Sequence, residues 1–291
     1  MVTGRGRCGS RVDDDVTLPE GELALDFSYA SDVGNVRRLN EDSILAAPPV
    51  FLVADGMGGH SFGDRASQSV VATFRSTLGT VDAPSPESVV ATIASANEAL
   101  MAMREPGEDS VSGTTLTGLV LVSTVSGYRW MVFNVGDSRV YRWDGRALEQ
   151  VTVDHSAVQE LLDAGQITAL EALSHPHRNV VTRAIGVHDE VDADVWLLPV
   201  TGKQTFLVCS DGLSRELADD QIAQILAGHD PEGSGSTIAE RLVEAALAAG
   251  GRDNVSVIVV DSQMLAAVST DHDDTNESGL AQHLEDTRPR K

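Results

Sequence analysis

The chain has 291 residues, 42% of them hydrophobic, and a formal net charge of −23 at pH 7. That apolar content suffices for one large core or two small ones, and one main domain is the expectation. The acidic excess argues against binding nucleic acid or an anionic membrane surface, since both need lysine and arginine to displace counterions, whereas divalent cations would be attracted.

In chain order, residues 1–21 carry Gly4, Gly6, Gly9 and the run Asp13, Asp14 and Asp15 with little to bury, and are read as disordered. They lack the apolar stretch of a signal peptide, and nowhere does the chain approach the ~18 consecutive apolar residues of a membrane span. Strand signals, rich in β-branched or aromatic residues, cover Leu23 to Ala30 and Val50 to Ala54. Helical spacing follows over Asp64 to Leu78 and over Ser88 to Met103, where Val89, Ile93, Ala96 and Leu100 form one stripe. Strands then run over Thr115 to Thr124, Tyr128 to Val135, Ser138 to Trp143, Val195 to Val200 and Thr205 to Cys209. Helices over Ala218 to Leu226 and Thr237 to Ala248 precede a last strand, Val255 to Val260, and residues 263–291 read as a polar, acidic, disordered tail. Consecutive strands interrupted by helix pairs indicate an α+β domain with antiparallel sheets. Cys8 and Cys209, one in a polar stretch and one in an apolar run, suggest no disulfide framework, which fits a reducing cytoplasm.

Four aspartates sit where an apolar run stops or starts: Asp55, Asp137, Asp211 and Asp253. Strands would deliver these carboxylates to sheet edges, and several converging there would repel one another unless cations neutralised them. Oxygen ligands without cysteine or clustered histidine suit magnesium, manganese or calcium better than zinc. Gly56 and Gly212 directly follow two of the aspartates, where backbone can approach a cation closely or turn sharply.

The ordered set Ser31-Asp32-Val33-Gly34-Asn35-Val36-Arg37-Arg38-Leu39-Asn40-Glu41-Asp42, Asp55-Gly56-Met57-Gly58-Gly59-His60, Gly136-Asp137-Ser138-Arg139, Ser210-Asp211-Gly212 and Asp253-Asn254 resembles the type 2C, or PPM, protein phosphatases. The resemblance runs from about residue 26 to about residue 261. It implies a central antiparallel β-sandwich flanked by helices in four layers, a phosphatase domain over residues 22–262, and a flap beside the active site at about 154–186. It further implies two divalent cations, Mn2+ or Mg2+: Asp55 bridging them, the Gly56 carbonyl as a ligand, and Asp211 and Asp253 on one ion. Asp137 would join Asp211 at a third, weaker metal. Glu41 and Asp42 would orient coordinated waters. Arg37 would grip the substrate phosphate through parallel guanidinium hydrogen bonds, with Arg38 as its adjacent competitor.

The implied reaction is hydrolysis of phosphoserine and phosphothreonine by a metal-activated bridging water, without a phosphoenzyme. Animal members carry histidine where this chain has Met57, which leaves the general acid unassigned, with His60 or a metal-bound water as candidates. The Asp-Gly-Met-Gly-Gly form suggests a bacterial enzyme that reverses serine/threonine kinase signalling. Phosphorylated proteins and their kinases are the expected partners, and a cytoplasmic monomer is the expected state.

Other patterns compete. Cys209 and Arg215 match the Cys-x5-Arg spacing of cysteine-dependent phosphatases, yet a thiol on an apolar strand beside Asp211 is badly placed to become a thiolate. Asp154, His155 and Ser156 have triad composition, but consecutive side chains do not form a hydrogen-bonded relay. His175 and His177 lack further metal ligands and read as loop residues. A binding module without catalysis would not need every metal aspartate, and a two-metal nuclease would not suit so acidic a chain.

Overall fold

The computed structural model describes residues 16–18, 21–58, 63–104, 112–228 and 236–266. Strands β1 (Val16–Leu18), β2 (Gly21–Asp32), β3 (Asp42–Ala47) and β4 (Val50–Met57) lead into helices α1 (Gly63–Leu78) and α2 (Pro86–Ala102). Next come β5 (Gly113–Thr114), β6 (Leu116–Thr124), β7 (Gly127–Val135), β8 (Arg139–Trp143) and β9 (Leu148–Gln150), then the short helices α3 (Ala157–Asp163) and α4 (Ala169–Ala172). The chain continues through β10 (Asp194–Pro199), β11 (Lys203–Cys209), α5 (Asp211–Ser214), α6 (Asp219–Ala227), α7 (Ile238–Ala249) and β12 (Val255–Ala266).

The strands form two antiparallel sheets, ordered β1-β2-β12-β11-β8-β9 and β10-β7-β6-β4-β3, with β5 paired to β4. Alternation of side chains along each strand builds the layers. On β4, Phe51 and Val53 face the opposite sheet and pack with its Phe206, Val208 and Ile258 and with Trp130 of their own sheet. Their neighbours Val50, Leu52 and Ala54 face the other way, against Val70, Phe74 and Ile93 of α1 and α2. On β11, Leu207 and Cys209 face Leu213, Ile222, Leu242 and Val243 of α5, α6 and α7. The result is the expected α-β-β-α sandwich. Because helices cover the outer face of both sheets, the central strands are apolar on both sides and read as unbroken hydrophobic runs.

Several elements differ from the sequence expectation. β3 was not anticipated: it is an edge strand whose Ser43 hydroxyl is 2.9 Å from that of Ser67 on α1, which breaks its apolar pattern. β1 and the start of β2 fall within the N-terminal segment read as disordered, and β12 runs past residue 262 to Ala266 because it pairs with β2 along its whole length. The remainder of both ends, and His60, lie outside the described residues.

Candidate metal centre

Strand register assembles the acidic residues. β3 and β4 pair Asp42 with Asp55, so Asp55 lies within β4 rather than beyond it. The Asp55 N–H donates to Thr115 Oγ1 at 3.0 Å, and its carbonyl accepts from the Thr115 N–H at 2.8 Å. Gly56 donates to the Glu41 carbonyl, and a Cβ there would lie 2.1 Å from the Gly63 carbonyl oxygen, so only glycine fits between β3 and the start of α1. Asp211 opens α5 at the end of β11. Its predecessor Ser210 donates from Oγ to Asp42 Oδ2 at 2.8 Å and accepts from the Ser256 N–H at 3.0 Å, tying β3, β11 and β12 together. Asp253 precedes β12 in a turn pressed so closely on α5 that a Cβ on Gly212 would come within 1.9 Å of the Asn254 carbonyl oxygen. Asp137 sits in the β7–β8 turn, after Gly136 at φ +117°.

The electrostatics are those of crowded carboxylates. Burial, then repulsion from Asp42, Asp211, Asp137 and Asp253, holds the Asp55 carboxyl well above its usual range, although part of its surface stays open. Asp211 is likewise raised by burial and Asp137, with Arg215 opposing. Asp42 is pushed up to about 6 by burial, against hydrogen bonds from Ser256 and Ser210. Burial raises Asp137 against Arg215, and raises Glu41 against Arg37. Asp42 Oδ1 and Asp211 Oδ1 are buried without a hydrogen-bond partner. These orphaned anionic oxygens, in an all-oxygen donor set, fit hard divalent cations. Among the described residues no three acidic, histidine or cysteine side chains form a complete cage.

A cleft of about 790 Å³ opens on this cluster, its wall including Asp137, Asp211, Gly212, Asp253, Arg37 and Arg215. Arg37 lines it and Arg38 does not. The Arg37 guanidinium donates to Asp253 Oδ2 at 2.8 Å. Residues of the segment 154–186, among them Leu162, Leu173 and Arg178, also line the cleft.

The competing patterns dissolve into separate tasks. Asp154 receives the Arg139 guanidinium at 2.7 Å. His155 is buried, accepting the Gly136 N–H at Nδ1 (3.1 Å) with Nε2 3.3 Å from Asp194, and so braces the turn that carries Asp137. Ser156 caps α3. Cys209 is fully buried and burial pushes its thiol up to about 12, so it is no nucleophile near neutral pH. The His175 and His177 rings meet edge-on at 5.4 Å and His175 Nδ1 accepts the His177 N–H at 3.2 Å, so the pair serves the local turn.

Three residues named in the sequence patterns have roles that the sequence did not assign. Asn254 donates to the Val33 and Leu39 carbonyls and accepts from the Glu41 N–H, thereby fixing the Arg37 loop on the Asp253 turn. Ser210 holds Asp42. Arg215 binds Asp137 and Asp211. Asn254 and Ser210 adjoin motif aspartates, a signal that could have found them; Arg215 follows Asp211 by four residues, one helical turn.

A carboxylate-lined site for hard cations, set where the strand ends of a four-layer sandwich meet, defines the class. The protein phosphatase 2C family model matches residues 38–245. Serine/threonine protein phosphatase PstP of Mycobacterium tuberculosis is 39% identical over 245 residues, covering 82% of this chain but 45% of that protein. Serine/threonine phosphatase stp of Listeria monocytogenes is 32% identical over 250 residues, covering 81% of this chain and 95% of its own. A crystal structure of the catalytic domain of serine/threonine protein phosphatase PstP, in complex with two manganese ions, superposes with a TM-score of 0.70 at 36% identity, covering 83% of this chain and 99% of that one. The chain belongs to the protein phosphatase 2C family, and spans about half the length of the mycobacterial relative.

Proposed function

We propose that this chain is a metal-dependent protein serine/threonine phosphatase whose two divalent cations, Mn2+ or Mg2+, are held by Asp55, the Gly56 carbonyl, Asp211 and Asp253. The observation that carries this reading is the buried, partnerless Asp211 Oδ1 within a cluster of mutually repelling carboxylates. Such a cluster is costly unless cations complete it. Bound there, they supply a nucleophile by lowering the pKa of water and polarise the phosphoryl group.

The chain's own groups do the rest. Arg37, half exposed at the cleft, uses one nitrogen on Asp253 and has further donors for phosphoryl oxygens, whose charge grows during transfer. Glu41 and Asp42 accept hydrogen bonds from water in the centre, Asp42 being steadied by Ser210. Met57 offers no proton, so the departing serine or threonine oxygen takes one from solvent in the cleft. The flap, residues 154–186, lines the cleft beside the aspartates and selects the phosphoprotein. The domain follows the paired strands from Gly21 to Ala266. Substrates are phosphorylated proteins opposed to serine/threonine kinases, and the working form is a cytoplasmic monomer; among the described residues no helix is long and apolar enough to cross a membrane.

The test is phosphate release from a phosphothreonine peptide by chelator-treated protein, with and without Mn2+, beside Cys209→Ser. Mn2+-dependent turnover kept by Cys209→Ser supports the reading. Metal-independent turnover lost in that variant would transfer the chemistry to the thiol, and no turnover would leave a binding module.

A further inference from the structure

Asp137 and Asp211 meet a guanidinium. Arg215 Nη2 lies 2.9 Å from Asp137 Oδ2 and 2.5 Å from Asp211 Oδ2, and Nη1 lies 3.8 Å from Asp253 Oδ2. Its backbone is fixed as well, since the Arg215 N–H donates to the Asp211 carbonyl at 2.8 Å at the end of α5. We propose that Arg215 is a built-in cation standing in for the third metal that the Asp137–Asp211 pair would otherwise bind, so that this centre takes two ions. The inference rests on the two-cation reading above.

The geometry makes the two occupants mutually exclusive. A Mn2+ or Mg2+ ion joining these carboxylates would sit about 2.0–2.2 Å from their oxygens, using the lone pairs that Arg215 Nη2 already engages. Guanidinium and dication would also repel at that separation, with little water between them, because both aspartate side chains are buried. Asp211 divides its work: Oδ2 serves Arg215, while Oδ1 is left without a partner and free for a cation. Arginine stays charged at any working pH and cannot dissociate, so charge compensation at Asp137 does not depend on the concentration of free metal. Arg215 thereby acts as a positioning residue, holding Asp137 and Asp211 in place whether or not metal is loaded.

The test counts bound ions by equilibrium dialysis of Mn2+ against the full, chelator-stripped chain. It compares wild type, Arg215→Lys, Arg215→Ala, Asp137→Asn and the double variant Arg215→Ala/Asp137→Asn, with thermal melting as the control for folding. The expected result is two ions in wild type, Arg215→Lys and Asp137→Asn up to millimolar Mn2+. Arg215→Ala gains a third, millimolar-affinity ion that the double variant loses. Two ions in folded Arg215→Ala overturns the inference and leaves the phosphatase reading standing. The same holds for three ions in wild type falling to two in Asp137→Asn, an arm that does not need Arg215→Ala to fold. No bound Mn2+ in wild type overturns both.

Discussion

Arg37 and Asp253 are 216 residues apart in the chain, yet the guanidinium of one donates to the carboxylate of the other at 2.8 Å. The group proposed to grip phosphate is therefore stationed on a proposed metal ligand. Being half exposed, the pair contributes at most about 1 kcal/mol to stability. Its contacts to phosphate, by contrast, are worth about 1.5–3 kcal/mol. Arg37→Ala should lower kcat/KM about tenfold to a hundredfold with little change in melting temperature. Initial rates on a phosphothreonine peptide check this, and an unchanged kcat/KM removes the role.

The carboxylate cluster trades stability for function. Asp55 is held above its usual range by burial and by four neighbouring aspartates, so replacing it with the neutral amide relieves repulsion. In the presence of chelator at about pH 8, Asp55→Asn should melt higher than wild type by about 2–4 °C, the shift that ~1 kcal/mol produces in a domain of this size. A lower melting temperature would mean that the site is not strained by its own charge.

Acidity gives a second handle on the same cluster. Asp42 is raised to about 6 in the fold, and Asp55 and Asp211 are also raised, all chiefly by burial. For such groups the unfolded chain releases its protons first. Stability is therefore greatest below the ordinary carboxylate pKa and is lost as pH rises through the folded value. Metal-free protein should lose melting temperature between about pH 4 and about pH 6, and Mn2+ should restore more of it at about pH 8 than at about pH 5, since cation and proton compete for the same oxygens. Melting curves with chelator and with Mn2+ read both arms; a Mn2+ effect larger at low pH would contradict it.

The close approach at Gly212 is equally exposed to test. A methyl group there would sit 1.9 Å from the Asn254 carbonyl oxygen and must displace the turn that carries Asp253. Gly212→Ala should cost about 1–3 kcal/mol of stability and weaken Mn2+ binding together. Denaturant unfolding and dialysis measure the two, and unaltered Mn2+ affinity would separate the Asp253 turn from the site.

What was legible in the sequence follows from how each feature is built. β4, β6, β7, β11 and β12 read clearly because both of their faces are covered, which makes them continuous apolar runs of β-branched residues. β3 did not, because it lies at a sheet edge and turns Ser43 to a polar contact with Ser67. α5 did not, because a single helical turn of Asp211–Ser214 has no periodicity to detect. Asp55, Asp137, Asp211 and Asp253 stood out through the motifs around them. Asn254 and Ser210 act on segments that only strand pairing brings near, so their partners could not be read from spacing. Arg215 was noticed for its distance from Cys209, whereas the fold turns its side chain away to the aspartates.

The most direct test of the metal centre is the turnover of folded Asp211→Asn on a phosphothreonine peptide across a Mn2+ titration, beside wild type. Asparagine keeps the shape of the side chain but removes the charge that a cation needs. The expected result is Mn2+-dependent phosphate release by wild type and none above background by Asp211→Asn at any Mn2+ concentration. Wild-type-like turnover by the variant would contradict the assignment of Asp211, and with it the two-cation centre.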